Sequence, residues 1–453
     1  MELRTSSYII PVKLEKEKGK YLLIHGYTGA IDVVSEELLA KIESINLVND
    51  LSEDTLQNLL KRGYITVKKQ NEEIEYVSRI ARALHKKMQL LYKNFTFVVT
   101  YNCNFRCPYC FENRRMKDDS SVLSFTRMMV DKAYSAMEKI EPRVELRDKT
   151  IALYGGEPLL PQNKNIVKYI IAKGAEKGYT FRVLTNGYNL NCFMDLLSPE
   201  LIDEIQVTID GTKEYHNKRR IHYEDNETFD KIISNVDQAL KKGVNIIVRV
   251  NTDNKNVEDF VRLKAYFEDC GFFSYPTFKM YSALLWDSSS ISEEEQHSLD
   301  FLSAKLYISK NEEMGTIKQC KDCGLYTRIY QALSENKPIP FRNVFCASQT
   351  GGYIFDPLGD IYPCWEIVGN NNYRIGNYRN EKIEWDNGKL DEWHNYDITV
   401  NSICKSCKYA LFCGGGCVAH ALFGRKEQCA YFTTMFKSVV NRAFEKMLNK
   451  SFN

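Results

Sequence analysis

The stretch CNFRCPYC, from Cys103 to Cys110, sets three cysteines on one short loop at C-x3-C-x2-C spacing, directly after the run FTFVVT (95–100). Because that run is short, apolar and rich in β-branched residues, it predicts a buried strand that ends at the cysteine loop. Three thiolates can hold three irons of a cubane cluster, which has four irons and normally takes four thiolates, so one iron is left open. Structural zinc fits less well, because it takes four protein ligands.

The length and charge of the chain exclude several classes of partner. At 453 residues and 44% hydrophobic composition, it can form two or three domains with real cores. Its 61 basic and 59 acidic residues give a net charge of +2, which offers no general attraction to nucleic acid or to an anionic membrane. We therefore expect neither nucleic acid nor membrane as a partner.

The amino terminus and the cysteines indicate the compartment. MELRTSSYIIPVKLEKEKGK lacks the features of a secretion signal, and no later run approaches the roughly 20 apolar residues of a membrane span, so we expect a cytoplasmic protein. Fourteen cysteines in a reducing compartment favour metal or redox chemistry over disulfides. Cys192 and Cys270 stand apart from the cysteine clusters and are expected to be small apolar core residues.

The segment 95–285 alternates short β-branched runs with amphipathic helical stretches. Six strands separated by single helices predict an α/β fold, a parallel sheet curled into a partial (β/α)6 barrel like that of a TIM barrel. The cysteine loop then stands at the carboxyl end of a strand, where such folds place their chemistry. Strands are predicted in FTFVVT, IALYG, FRVLTNG, IQVTIDG, IIVRVN and TFKMYS, and helices near 124–140, 163–177, 195–203, 227–242 and 256–270.

Three further segments flank the barrel. Residues 1–80 predict strands in YLLIHG and TGAIDVV and capped helices in SEELLAKIESI and SEDTLQNLLKRG, which suggests a winged-helix-like module. Residues 286–345 predict a helical bridge that opens on a cap in SISEEEQHSLDFLSAKLYISK. Residues 346–453 are rich in Gly, Asn and Cys up to the amphipathic tail YFTTMFKSVVNRAFEKML, and such a region usually needs staples.

CNFRCPYC resembles the signature of radical SAM enzymes. In that family the open iron binds the amino and carboxylate groups of S-adenosylmethionine (SAM), and an electron cleaves SAM to a 5'-deoxyadenosyl radical. The resemblance implies that Cys103, Cys107 and Cys110 hold the catalytic 4Fe-4S cluster. GGEPL (155–159) resembles the family segment that binds the methionine amino group, since two glycines let carbonyls approach closely and Glu157 can accept from an ammonium.

Further SAM contacts are implied by order along the chain. TNG (185–187) and TIDG (208–211) resemble family positions near the nucleoside. Thr208 or Asn251 would reach the ribose hydroxyls, Arg219 or Arg220 would reach the SAM carboxylate, and Tyr109 would lie against adenine. The implied cofactor-binding set is Tyr109, Gly155, Gly156, Glu157, Thr185, Asn186, Thr208, Asp210, Arg219 and Asn251.

The seven carboxyl-terminal cysteines follow a spacing that resembles the SPASM extension of radical SAM enzymes, which holds two auxiliary 4Fe-4S clusters. Three clusters in all are therefore implied. The glycines of CGGGC are what a backbone needs when it wraps closely around a cluster. By the family pattern, one auxiliary cluster takes Cys404, Cys407, Cys413 and Cys429, and the other takes Cys346, Cys364 and Cys417.

The second of these sets leaves one iron without a ligand from the family pattern. Sulfatase-maturing relatives have another cysteine shortly after the one equivalent to Cys346, and ASQTGGYIF supplies none here. Either Cys320 or Cys323, in CKDC, fills the position, or the iron stays open to a substrate thiolate. CKDC as exposed loop thiols is the alternative. The departure from the family pattern favours thiol chemistry.

GKYLLIHGYTGAIDVVSEELLAKI (19–42) resembles the recognition element that binds leader peptides in maturases of ribosomally made, post-translationally modified peptides. Such elements add the leader as a strand to a sheet edge. A structural cap on the barrel is the alternative. DNA binding by a winged helix is not favoured, because the segment lacks a dense basic face with interleaved aromatics.

Together these resemblances imply a peptide maturase that forms thioether crosslinks of the sactipeptide or ranthipeptide type. Its partners would be a cysteine-containing precursor peptide and an electron donor such as flavodoxin or ferredoxin. Alternatives are carbon-carbon crosslinking, sulfatase maturation, and a non-catalytic iron-sulfur electron carrier, which would need neither GGEP nor an open iron. Sulfatase-maturing relatives carry Asp beside the equivalent of Cys364, whereas Trp365 and Glu366 follow it here, and Glu366 stays open as a base.

Overall fold

Two compact units make up the fold. The computed structural model of the protein describes residues 3–44, 51–110, 112, 124–286, 299–342, 344–423 and 427–451. One unit, the module unit, comprises Met1–Leu90, Asp322–Thr350 and His394–Asn453, and the other, the barrel unit, comprises Leu91–Lys321 and Gly351–Trp393. The units therefore do not follow the four consecutive predicted segments. Among the described residues, no helix combines the length and the apolar character that crossing a membrane requires.

The described residues of the amino-terminal part of the module unit contain five short strands. Strand β1 (Arg4–Thr5) pairs antiparallel with β5 (Ile65–Thr66). Strands β2 (Ile9–Lys13), β3 (Lys20–His25) and β4 (Ile31–Ser35) form an antiparallel sheet in that order. Strands β3 and β4 confirm the predicted pair. Strand β2 is an addition to it, since Pro11 interrupts the run IIPVK and weakens its strand signal.

The helices of the module unit confirm the predicted caps. Ser35 and Ser52 accept hydrogen bonds from backbone amides of the first turns, at 3.1 and 3.3 Å. Gly63, in a left-handed conformation at φ 91°, ends the second helix. The predicted amphipathic tail lies in the last helix. These helices are Glu36–Glu43, Glu53–Arg62, Gln70–Gln89, Leu325–Glu335, Ser402–Lys405, Ala410–Cys413, Val418–Leu422 and Glu427–Ser451.

A buried carboxylate ties the first strands of the module unit to helix Gln70–Gln89. Glu73 is fully buried and accepts from the Arg4 guanidinium, the Ser6 hydroxyl (2.5 Å), the Ser7 amide (3.1 Å) and the Tyr27 hydroxyl (3.0 Å). Four donors compensate the cost of removing the charge from water. The first strands of the module are therefore fixed by a specific polar contact as well as by apolar packing.

The barrel unit is built on one mixed sheet. Six parallel strands run in the order β11-β10-β9-β8-β7-β6, and β12 adds parallel to β6 before three antiparallel strands. The six predicted barrel strands are confirmed. The strands are β6 (Asn94–Thr100), β7 (Thr150–Gly155), β8 (Thr180–Thr185), β9 (Ile202–Thr208), β10 (Asn245–Thr252), β11 (Phe278–Leu284), β12 (Gly352–Phe355), β13 (Asp360–Tyr362), β14 (Gly376–Asn377) and β15 (Glu384–Trp385).

The helices of the barrel unit follow the prediction with one correction. The helix predicted at 195–203 is absent: a short 3-10 turn covers Leu190–Phe193, and β9 already begins at Ile202. Pro199 disfavours helical geometry at the residue before it, and Ile202 pairs with Phe181 of β8 instead. Lys213–Arg219 is an unpredicted helix. The others are Arg127–Ile140, Lys164–Glu176, Phe229–Lys241, Asp259–Asp269, Ala304–Glu313 and, at the end of the unit, Asn387–His394.

The helical bridge is described only in part. Its predicted opening cap in SISEEEQ lies outside the described residues. The helix that follows begins at Ala304, and Ser303 accepts from the Leu306 amide at 3.2 Å as its cap.

His25 makes the stability of the module unit depend on pH. The buried imidazole accepts from the Thr28 amide at Nδ1 (3.2 Å), so its proton lies on Nε2, 3.0 Å from the Ser6 hydroxyl. Burial lowers the pKa of His25 from 6.5 to about 4. Between pH 4 and pH 6.5, the unfolded chain therefore binds a proton at His25 that the folded chain does not bind. Stability should be full above pH 6.5 and fall as the pH drops toward 4, by roughly 3 kcal/mol from this group.

Comparing wild type with His25→Gln measures this contribution. Urea unfolding at pH 7 and pH 5 should show a smaller loss of stability for the variant than for the wild type. Equal losses in the two proteins would contradict a buried neutral His25.

Candidate active site

The three-cysteine loop is pinned by a second loop of the barrel. It leaves the carboxyl end of β6, and Phe105 forms a bridge with His222. The Arg106 amide donates to the Ile221 carbonyl at 2.7 Å, and the Tyr223 amide donates to the Asn104 carbonyl at 3.0 Å. Within the loop, the Cys110 amide donates to the Cys107 carbonyl at 3.1 Å. Backbone pairing of the three residues between Cys103 and Cys107 therefore fixes the loop.

The three thiols of this loop fit a metal cluster. Burial raises the pKa of Cys103, Cys107 and Cys110, that of Cys110 to about 12, and the neighbouring thiolates add to the rise at Cys103 and Cys110. Three thiols within one another's field resist ionisation until a cation joins them. Three irons of a cubane cluster supply that charge, so the donor set fits the predicted 4Fe-4S cluster.

Two glycines let the strand β7 loop touch the cysteine loop. Gly155, at φ 130°, leaves room where a Cβ would stand 2.2 Å from the Thr100 carbonyl oxygen. A Cβ at Gly156 would stand 2.4 Å from the carbonyl oxygen of Asn102, the residue before Cys103. The Glu157 amide donates to the same Asn102 carbonyl at 2.9 Å. No larger residue fits without displacing the first cluster cysteine.

Glu157 holds two strand ends together. Its side chain is buried at 1% exposure, and its oxygens accept from the Leu159 amide (2.8 Å), the Thr185 hydroxyl (2.7 Å) and the Asn186 amide (2.7 Å). Burial raises its pKa, and the three hydrogen bonds oppose the rise. Asn186 in turn donates to the Asn104 side chain at 2.8 Å. Thr185 and Asn186 thus lie beside the cysteine loop, and contact of Glu157 with a SAM ammonium stays a prediction.

The Tyr109 hydroxyl is the centre of a polar group. It donates to the Asp210 carboxylate and accepts from Arg220 (3.1 Å) and from the Asn251 amide group (3.2 Å). Asp210 also accepts from the Asn251 backbone amide at 2.9 Å. Three predicted cofactor residues, Tyr109, Asp210 and Asn251, are therefore in one network. Thr208 ends β9 opposite Arg249 of β10 and takes no part in it.

The two adjacent arginines have different surroundings. Arg219 pairs with the buried Asp253 at 2.7 Å and lies over the Tyr109 ring at 5.4 Å. Arg220 donates to the Cys107 sulfur at 3.2 Å. Both candidates for the SAM carboxylate therefore contact the cluster loop, Arg220 at the Cys107 sulfur and Arg219 at the Tyr109 ring, and Arg219 is also paired with a carboxylate of the fold.

One group beside the cysteine loop was not predicted. The Tyr154 hydroxyl is hydrogen-bonded to the buried carboxyl of Glu112, and its ring meets Trp365 edge-on at 4.5 Å between centroids. Burial raises the pKa of Tyr154 well above its usual range, and the charges of Glu112, Cys110 and Cys364 add to the rise. The only sequence signals are positional, since Glu112 follows the third cysteine by two residues and Tyr154 directly precedes GG.

Four predicted auxiliary ligands lie together in the module unit. Burial raises the pKa of Cys404 and Cys413 to about 12, and charges on the other members of the set add to the rise at both. Charges on Cys404, Cys429 and Cys407 each raise the pKa of Cys413. Four thiols within one another's field are the donor set of a fully ligated 4Fe-4S cluster. Their assignment to one cluster stays a prediction.

A left-handed glycine turn joins this set to Cys417. Gly414, Gly415 and Gly416 have φ of 78°, 85° and 77°. A Cβ at Gly414 would stand 2.5 Å from the Val344 carbonyl carbon, just ahead of Cys346. Gln349 accepts from the Cys346 amide at 3.2 Å and donates to the Gly414 carbonyl at 3.3 Å. The backbones that carry Cys346, Cys413 and Cys417 are therefore held close together.

The remaining cysteines have separate locations. Cys364 is buried in the barrel unit after β13. Cys320 is buried in the barrel unit, where its backbone forms an isolated β-bridge with Ser282. Cys323 is partly exposed in the module unit. The expectation of a core position is wrong for Cys270, which is exposed at the end of helix Asp259–Asp269, and Cys192 is only partly buried. Cys270 caps the helix and lies beyond its last residue, so the amphipathic pattern of the helix does not determine whether it is buried.

The amino-terminal module shares its core with the auxiliary cysteine segment. Tyr8, Tyr27, Val77 and Ala81 pack in one apolar cluster whose other members are Ile398, Cys404, Ala410 and Leu411. At Gly26 a Cβ would stand 2.3 Å from the Lys408 carbonyl oxygen. The module and the cysteine segment are therefore not independent pieces.

Comparison with known proteins agrees with the site. Residues 97–266 match the profile of the Radical SAM superfamily. A cysteine-type anaerobic sulfatase-maturating enzyme of Clostridium novyi (strain NT) is 25% identical over 346 residues, covering 70% of this chain and 85% of that protein. The radical SAM cyclopropyl synthase TigE of Paramaledivibacter caminithermalis (strain DSM 15212 / CIP 107654 / DViRD3) is 20% identical over 478 residues, covering 97% of this chain and 96% of that protein.

Two solved structures share the fold. Native anSMEcpe with bound AdoMet and Cp18Cys peptide superposes with a TM-score of 0.55 at 17% identity, covering 80% of this chain and 99% of that chain. Streptococcus suis SuiB bound to S-adenosylmethionine superposes with a TM-score of 0.52 at 14% identity, covering 94% of this chain and 98% of that chain.

These matches confirm the class inferred from the cysteine loop. Residues 97–266 match the radical SAM domain, and the relatives that share this domain are enzymes. Such a domain binds SAM and one 4Fe-4S cluster, whose predicted ligands are the three cysteines that follow β6.

Replacing Gly414 tests the glycine turn. Gly414→Ala should displace the backbone ahead of Cys346, and the reconstituted protein should hold fewer irons than the about twelve expected from three cubane clusters. Gly315→Ala is the matched control, because Gly315 has φ 69° but no atom within 4 Å of an added Cβ. The Gly315→Ala variant therefore introduces backbone strain, of order 1–3 kcal/mol, without a steric clash. Equal iron in both variants would contradict a steric role for Gly414.

Proposed function

We propose that the enzyme is a peptide maturase that installs thioether crosslinks, joining a cysteine sulfur to a carbon of a ribosomally made precursor peptide. The observation that supports it most is the presence of two fitted thiol sets, one of three cysteines at the carboxyl ends of the barrel strands and one of four in the module unit. The first leaves an open iron for SAM. The second, with the predicted partial set of Cys346, Cys364 and Cys417, provides the auxiliary clusters.

The division of labour follows from the chemistry. The bound cluster and SAM supply an electron and a carbon-centred radical that removes hydrogen from the peptide. The chain orients SAM through the residues around Tyr109 and Glu157, and it excludes water from a site whose polar members are almost all buried. Forming the C–S bond would release the thiol hydrogen as a proton and leave one electron, and an auxiliary cluster held by Cys404, Cys407, Cys413 and Cys429 would supply an acceptor for it. The ligand that completes the three-cysteine auxiliary set is Cys320, Cys323 or the substrate thiolate.

Two features favour this proposal over sulfatase maturation. Trp365 follows Cys364 where relatives of the sulfatase type carry Asp, and its ring packs on Tyr154. TigE matches 97% of the chain, including the amino-terminal module, while the sulfatase-maturating relative of Clostridium novyi matches 70%. Carbon-carbon crosslinking is the second candidate, because it needs the same SAM site and the same auxiliary clusters.

The amino-terminal module is proposed to bind the leader of the precursor. In the described part of the chain, β4 pairs with β3 alone and so leaves one edge of the sheet open. Val33 of β4 is 48% exposed, which provides an apolar contact beside that edge. An added strand would gain main-chain hydrogen bonds there and side-chain selectivity at Val33.

Peptide mass tests the reaction. With SAM, a reductant such as reduced flavodoxin and a cysteine-containing precursor, the anaerobically reconstituted enzyme should remove two hydrogens per crosslink and protect that cysteine from alkylation. Cys107→Ala should abolish SAM cleavage and keep the auxiliary clusters, whereas Cys192→Ala should retain activity. Two-hydrogen loss with the cysteine still alkylatable would favour carbon-carbon crosslinking. Cleavage of SAM by Cys107→Ala would contradict the assigned cluster site.

Leader binding is tested by a point change rather than a deletion. Removing residues 1–80 would also remove apolar residues that pack around Cys404. A loss of activity in that variant could then come from loss of the iron-sulfur cluster as well as from loss of leader recognition. Val33→Asp should instead weaken leader affinity in a titration and spare uncoupled SAM cleavage, since Val33 lies at the surface. Val261→Asp, at a 40% exposed position of the barrel unit, is the matched control. Unchanged affinity in Val33→Asp would contradict binding at the β4 edge.

A further inference from the structure

Arg342 lies where three cysteine-bearing segments of the module unit meet. Its backbone amide donates to the Leu411 carbonyl at 2.7 Å. Its guanidinium donates to the carbonyls of Val344 (3.2 Å) and Phe345, and more weakly to that of Cys323 (3.5 Å). These carbonyls belong to the loop before Cys346, the segment before Cys413 and the CKDC turn. One arginine therefore ties together, through its guanidinium and its backbone amide, the backbones that carry predicted cluster ligands.

Arg328 places a second cation beside the first. It donates to the carbonyls of Pro340 (3.1 Å) and Phe412 (3.2 Å), and Phe412 directly precedes Cys413. Burial, and then repulsion from Arg342, lowers the pKa of Arg328 to about 10. Asp322, Cys323 and Cys413 act in the opposite direction. Hydrogen bonds to the adjacent residues Leu411 and Phe412 therefore hold Arg342 and Arg328 near each other, in a partly desolvated place where their like charges repel.

Two repelling cations with neutral carbonyl partners need a nearby anion. Asp322, Cys323 and Cys413 are the groups whose negative charge would offset that of Arg328. A 4Fe-4S cluster on four thiolates carries a net negative charge, so it would relieve the repulsion. Charge and hydrogen bonds around a cluster also set its reduction potential.

We propose that Arg328 and Arg342 are positioning residues for the auxiliary cluster on Cys404, Cys407, Cys413 and Cys429, and that their charge raises its reduction potential. The inference rests on the cluster assignment made under the proposed function. A higher potential makes this cluster the better acceptor for the single electron that C–S bond formation leaves behind. The cluster would be reduced by this one electron, so the step needs no further oxidant.

The test is a potentiometric titration of the anaerobically reconstituted full chain, followed by electron paramagnetic resonance and iron analysis. Arg342→Gln should move one auxiliary signal to a more negative potential, whereas Arg342→Lys, which keeps the charge, should stay near wild type. Arg79→Gln is the matched control, because it removes the same charge from an exposed position of the same unit. Where Arg342→Gln fails to hold iron, Arg328→Gln is titrated in its place.

Unchanged potentials with full iron in the Gln variant would overturn the proposal, as would an equal shift in the Lys variant, which would show that charge is not the cause. Failure of the cluster assignment is distinguishable from both outcomes. It would appear as a Cys413→Ala protein that keeps all the iron of the wild type.

Discussion

The close approach of the Gly155–Gly156 backbone to the carbonyls of Thr100 and Asn102 is the constraint on which the active site depends. It brings the end of β7 against the end of β6, so that the first cluster cysteine and the predicted methionine-binding segment share one surface. Glu157 extends the contact to β8 through Thr185 and Asn186. Because backbone atoms make the central contact, side chains around it can vary in chemistry without moving the cluster loop.

Close backbone approach at glycine recurs in the module unit, where the CGGGC turn lies against the backbone of Val344. Three consecutive left-handed glycines join Cys413 to Cys417, which are predicted to belong to different ligand sets. Around that turn, apolar packing with Tyr8 and Tyr27 and hydrogen bonds from Arg342 supply the support that regular secondary structure does not. The amino-terminal module and the segment that carries the predicted auxiliary ligands therefore share one core, so a loss of packing in one is expected to destabilise the other.

The sequence predicted the six barrel strands because their β-branched runs are short and bounded by turn residues. It also located the cysteine loop at a strand end. It did not exclude the helix at 195–203, since the apolar residues there fit helical spacing, and it is Pro199 together with the pairing of Ile202 with β8 that decides against the helix. The Glu112–Tyr154 contact and the position of Arg342 beside Cys413 join residues far apart in the chain, so no local pattern could reveal them. The surroundings of Arg219 depend on Asp253 in the same way.

The proposed chemistry divides the work between the two thiol sets, with SAM cleavage at the barrel and electron acceptance at the auxiliary clusters. Its central claim is that the radical formed at the barrel acts on a peptide. The most direct measurement is deuterium transfer: a precursor peptide labelled with deuterium at its carbon positions is turned over, and the 5'-deoxyadenosine is weighed. Deuterium in that product at one atom per crosslink is the predicted result. Unlabelled 5'-deoxyadenosine formed together with crosslinked peptide would contradict the claim.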